Sequence, residues 1–88
     1  MLEPNSDTLV VTKNIIPLTI IKSGTKVTVH SINGGKKLNC RLLSMGISPG
    51  AELTVIANDL NGAVLVGIGP ARLALGRGMS MKIMVSDY

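Results

Sequence analysis

The side chains able to do chemistry are few: one histidine, His30, one cysteine, Cys40, and five methionines. A covalent nucleophile needs a base and an orienting group within hydrogen-bond reach. No acidic residue stands between His30 and Cys40, and the five acids of the chain are Glu3, Asp7, Glu52, Asp59 and Asp87. Gly-x-Ser-x-Gly, paired-carboxylate and Gly-x-x-x-x-Gly-Lys-Ser/Thr patterns are missing, so neither acyl nor phosphoryl chemistry is indicated. Structural zinc takes four Cys or His ligands and catalytic zinc three protein ligands. One His and one Cys supply two at most, and Met79 and Met81 read as flexible core fillers on the inward face of a strand. The expectation is therefore a non-enzyme with no catalytic residue, no metal site and no cofactor.

The charge pattern says more. Net charge is +4, and residues 8–51 contain no acid but hold Lys13, Lys22, Lys26, Lys36, Lys37 and Arg41. A purely basic half favours an acidic partner, be it protein, nucleic acid or lipid headgroup, although it also serves as a solvated face. Single-strand nucleic-acid binders stack bases on aromatic rings. Here Phe and Trp are absent and Tyr88 is the one aromatic residue, so a small basic RNA-binding barrel stands second to a protein-binding one.

These charges must be positioned by short elements. Aliphatic β-branched residues separated by ten glycines and four prolines predict short strands and tight turns. Residues 1–14 read as a flexible lead-in in which Thr8-Leu9-Val10-Val11 could add an edge strand, and 15–88 as the domain. Pro17 to Gly24 suggests one helical turn. Five strands follow: Lys26–Ile32 with Val27 and Val29 inward, Ala51–Ala57 with Leu53 and Val55 inward, Ala63–Ile68 apolar on both faces as a central strand would be, Ala71–Leu75, and Met79–Val85 with Met79, Met81, Ile83 and Val85 inward. Asn33-Gly34-Gly35, Asp59-Leu60-Asn61-Gly62 and Gly69-Pro70 mark turns between them.

One helix, Lys36 to Met45, is inserted between the first and second of these strands. Its helical spacing puts Leu38, Leu42 and Met45 on the core side and Lys36, Cys40 and Leu43 on the other. Gly46 suits the left-handed position that ends a helix, and Ser48-Pro49-Gly50-Ala51 suits a type II turn. Lys36 and Lys37 sit where the helix dipole disfavours cations by about 0.3–1 kcal/mol each. A sequence tuned only for folding would place acids there. Lys36, Lys37, Cys40, Arg41 and Leu43 are therefore the candidate partner-binding residues, while Leu42, Met45, Gly46, Pro49 and Gly50 are assigned to structure. Together the elements describe a small, closed or half-closed β-barrel.

Size and cysteine usage narrow the setting. A chain of 88 residues has room for one core, and a single cysteine excludes an internal disulfide. The start lacks the basic and apolar regions of a signal peptide, and no apolar run approaches the ~20 residues that cross a bilayer. A cytoplasmic protein without membrane insertion is expected, with weak self-association left open.

Arg41-Leu42-Leu43-Ser44-Met45-Gly46-Ile47-Ser48-Pro49-Gly50 resembles the Arg-Leu-x-x-Met-Gly-(Ile/Leu)-x-Pro-Gly segment of the FeoA family. Pro17-Leu18, Ser23-Gly24, Asn33-Gly34-Gly35, Ala71-Arg72-Leu73-Ala74-Leu75-Gly76-Arg77 and Ile83-Met84-Val85 extend the resemblance over about residues 16–86. It implies an SH3-like barrel and a cytosolic accessory of FeoB, the membrane ferrous-iron transporter with a GTP-binding domain. The same barrel closes iron-dependent repressors of the diphtheria-toxin-repressor type, which carry DNA-binding and dimerisation domains ahead of it. A 14-residue lead-in has no room for those, which favours the transporter accessory.

Overall fold

The computed structural model describes residues 14–59 and 62–86. The suggested strand at Thr8–Val11, the tip of the Asp59–Gly62 turn at Leu60 and Asn61, and Tyr88 lie outside the described residues. Six strands form one antiparallel sheet: β1 (Ile15–Pro17), β2 (Lys26–Ile32), β3 (Glu52–Asn58), β4 (Val64–Ile68), β5 (Ala71–Leu75) and β6 (Ile83–Ser86). Their order is β1-β6-β2-β3-β4-β5. Two helices complete the fold, α1 (Lys36–Ser44) and α2 (Arg77–Ser80), with a 3-10 turn at Leu18–Ile20.

The core follows from alternation. Val27, Val29, Leu53, Val55, Val64, Val66, Ile83 and Val85 are all buried and belong to one cluster with Leu18, Ile21, Leu42, Ile47 and Leu75. Among the described residues the core filling is entirely aliphatic. Burying such a side chain is worth about 1.5–3 kcal/mol, which makes these alternating positions the main source of cohesion.

Several expectations need correction. The sheet has six strands rather than five, because Ile15–Pro17 pairs with β6 where a helical turn was expected. Pro17 has φ −65° and ψ 146°, an extended geometry, and an edge strand tolerates its missing N–H. The helical turn is the short Leu18–Ile20, and it stops before Gly24. Gly24, at φ 89°, serves instead in the turn closed by the Thr25 N–H donating to the Lys22 carbonyl at 3.2 Å. Strand β4 lies next to the edge strand β5 rather than at the centre, and β1 and β5 end the sheet without pairing to each other.

The last predicted strand is also shorter. Residues 77–80 form α2, with Ser80 N–H donating to the Gly76 carbonyl at 2.9 Å and Met81 N–H to that of Arg77 at 3.0 Å. Met81 is thus 57% exposed rather than inward, while Met79 packs half-buried on the core from α2. The buried Ser80 hydroxyl secures this turn by donating toward the Leu75 and Gly76 carbonyls, at 3.2 and 2.9 Å. Only Ile83 and Val85 keep the expected inward alternation.

Polar side chains span the open side of the sheet. Asn58, at the end of β3, donates from Nδ2 to the carbonyls of Thr19 and Ile21, each at 2.8 Å. Arg77, at the start of α2, donates to the Asp59 carbonyl at 2.6 Å and, at 3.3 Å, to Asn58 Oδ1 and the carbonyls of Gly62 and Thr19. The two side chains clasp the β3–β4 connection and α2 to the segment following β1.

Candidate functional site

Helix α1 is held by its inner stripe. Leu42 is fully buried, and Leu38 and Met45 pack half-buried against the same cluster. Its C-terminus closes as a Schellman motif: Ile47 N–H donates to the Leu42 carbonyl and Gly46 N–H to that of Leu43, both at 2.9 Å. Gly46 takes φ 88°, and the buried pair Leu42 and Ile47 supplies the hydrophobic contact that accompanies this stop. The Ser48–Ala51 turn follows, with Ala51 N–H donating to the Ser48 carbonyl at 2.9 Å and Gly50 at φ 94°. It is tied to β2, since Gly50 N–H donates to the Val29 carbonyl and Val29 N–H to that of Ala51, both at 2.8 Å. Leu42, Met45, Gly46, Pro49 and Gly50 thus set where α1 ends and how it returns to the sheet.

The opposite face of α1 is open. Lys36, Lys37, Cys40 and Arg41 are all exposed and line one shallow concavity. Spacings of three and four residues make them neighbours on the helix surface. Leu43 is 61% exposed. No acid stands in the first turn and no side chain caps the N-terminus at Gly35. Asn39 instead donates its Nδ2 back to the carbonyls of Gly34 and Gly35, each at 3.0 Å, fixing the preceding loop to the helix. The result is a rigid platform with three cations and one large apolar side chain.

His30 and Cys40 form no site together. His30 is exposed on β2 with Nδ1 3.0 Å from the Ser31 hydroxyl, and Cys40 is a free, exposed thiol. No group of three or more His, Cys, Asp or Glu residues suited to a metal ion occurs among the described residues. Nor is any helix among them long and apolar enough to cross a membrane.

Sequence reasoning overlooked a second surface. On the outer face of the sheet, Lys26, Glu52, Thr54, Ile56, Gly67 and Arg72 line a groove running toward the Gly69-Pro70 turn. Lys26 was assigned outward on β2, but Arg72 and Gly67 gave no local signal, because their meeting depends on the register of β3, β4 and β5.

This architecture, an aliphatic barrel left open on one side with an inserted basic helix, defines a small SH3-like β domain. The FeoA domain model matches residues 16–87, and the chain belongs to that family. A relative from Methanocaldococcus jannaschii named "Putative Fe(2+) transport protein A" is 45% identical over 71 residues, covering 81% of this chain and 85% of the relative. The crystal structure of an iron uptake regulatory protein (FeoA) superposes with a TM-score of 0.78 at 33% identity, covering 83% of this chain and 97% of that one. A manganese-dependent transcriptional repressor gives the same TM-score at 28% identity, with this chain spanning 48% of the repressor.

Proposed function

We propose that this protein is a cytoplasmic accessory of ferrous-iron uptake that binds the cytosolic GTP-binding part of a FeoB-type transporter through the outer face of α1. Family membership supports the iron-transport setting. The observation that carries the docking face is the exposed set Lys36, Lys37, Cys40, Arg41 and Leu43 on a helix anchored by Leu42. An exposed apolar side chain on the same helix as three exposed cations suits an acidic protein surface with a small apolar recess. Docking there would bias the transporter's nucleotide-dependent state or its assembly. Couplings of that kind are typically about 1–3 kcal/mol, or 5–150-fold in affinity.

The test is a titration of the protein into the cytosolic part of FeoB, with and without a GTP analogue, beside Leu43→Glu, the pair Lys36→Glu/Lys37→Glu and an RNA control. Saturable binding weakened at least tenfold by Leu43→Glu, with unchanged circular dichroism, is the expected result. The acidic pair should leave the helix as stable or more so while weakening binding. Binding that both variants leave untouched refutes the α1 face, and binding to RNA alone refutes the transporter reading.

A further inference from the structure

The outer-face groove is built by register. Lys26 stands opposite Thr54, Thr54 opposite Gly67, and Gly67 opposite Arg72, so one row crosses four strands from β2 to β5 with a cation at each end. Between them the floor is low. Gly67 has no side chain, and a bulge between Val55 and Ala57 places half-buried Ile56 beside it. A Cβ on Gly67 would meet Ile56 Cδ1 at 3.3 Å, so the glycine is what lets the isoleucine lie across the row. A glycine inside a strand commonly marks the close approach of another group. Neither Lys26 nor Arg72 has an ion-pair partner among the described residues.

We propose that this groove binds an extended acidic segment of a partner protein, with two carboxylate side chains four residues apart flanking an apolar one. The spacing follows from the sheet. Three inter-strand steps of about 4.8 Å separate the Lys26 and Arg72 positions by ~14 Å, and an extended chain covers that span in roughly four residues at ~3.3 Å each. Side chains at the first, third and fifth positions of such a segment point the same way. The outer two reach Lys26 and Arg72, and the middle one lies on Ile56 over Gly67. Glu52, across from Thr28 and diagonal to Lys26, lines the same groove, so it is not the uniformly cationic track that a continuous polyanion such as RNA needs, and a carboxylate reaching Lys26 has to approach from the side away from Glu52. The groove has no residue in common with the α1 face. A charge on an edge strand can also serve only to discourage strand pairing, and Arg72 on β5 has that option. The two roles differ in whether the Lys26 end matters.

The probe is a fluorescein-labelled Ser-Glu-Ser-Leu-Ser-Glu-Ser peptide, followed by anisotropy at low salt and by amide shifts of the full chain. Saturable binding is expected, with shifts centred on Thr54, Ile56, Gly67 and Arg72. Arg72→Glu and Lys26→Glu should each weaken it at least fivefold, both being exposed positions that tolerate the change. Lys82→Glu, an equal change of net charge elsewhere on the surface, should stay within twofold. Moving the two glutamates to a spacing of two should also weaken binding. The proposal is overturned by absent saturation, by equal binding of a Lys-for-Glu peptide or of oligouridine, or by indifference to Lys26→Glu.

Discussion

If the polar clasp holds the open side of the barrel together, Asn58→Ala should be among the more damaging changes available at a partly exposed position. The substitution removes two donations of 2.8 Å to the carbonyls of Thr19 and Ile21. Each such bond is worth about 1 kcal/mol net, and an acceptor left short of water loses a little more, which gives roughly 2–3 kcal/mol. Arg77→Ala removes one short contact, to the Asp59 carbonyl at 2.6 Å, and three longer ones at 3.3 Å. Its half-exposed guanidinium is screened by solvent, and the cost should be about 1–2 kcal/mol. Because Arg77 and Asn58 touch and share the Thr19 carbonyl, the double variant should fall short of additivity by about 0.5–1.5 kcal/mol. With no tryptophan in the chain, far-ultraviolet circular dichroism is the suitable signal for urea unfolding. For a chain this small, with a slope of roughly 1 kcal/mol per molar urea, Asn58→Ala should lower the midpoint by about 2–3 M. Amide exchange should rise first at the Leu18–Ile20 turn and Ile21. A loss below about 0.5 kcal/mol for both single variants, or strict additivity, would refute the clasp.

Two further outcomes test local geometry. Gly46→Ala should cost about 1–2 kcal/mol from its positive φ alone, because the new Cβ meets nothing nearer than Ile68 Cγ2 at 3.7 Å; thermal unfolding should show a drop of roughly 4–8 °C per kcal/mol. Met81→Gln should change stability by less than about 0.5 kcal/mol, whereas Met79→Gln, on the half-buried side of α2, should destabilise by about 1 kcal/mol or more in the same urea assay.

The contrast between those methionines shows where local pattern misleads. Met79, Met81, Ile83 and Val85 alternate as strand residues do, yet the first two belong to a helical turn and its exit. What decides this is the Ser80 hydroxyl donating to the Leu75 and Gly76 carbonyls, together with the Arg77 contacts across the barrel. The Ser80 bonds lie within six residues, whereas the Arg77 contacts join segments that no short window of residues contains. Long-range pairing also decides Ile15–Pro17, where β6 claims Pro17, whose local signal is that of a turn. By contrast, β2, α1 and the Gly46 and Gly50 turns were legible because each is governed by a period or a positive φ carried by neighbouring residues.

This difference bears on where binding is encoded. The segment that identifies the family, Met45-Gly46-Ile47-Ser48-Pro49-Gly50, uses its backbone to stop α1 and dock the returning chain on Val29. Its apolar side chains, Met45 and Ile47, turn toward the core. Fold recognition therefore rests on residues whose visible work is to stop α1 and seat the Ser48–Ala51 turn. The exposed charges on these faces, Lys36, Lys37 and Arg41 on α1 and Lys26 and Arg72 on the sheet, are held by neither packing nor turn geometry, so a sequence can vary them without altering the barrel. Two family members can then share the whole scaffold and still differ in what they bind, and under the two proposals above partner choice is read from the charges on these surfaces.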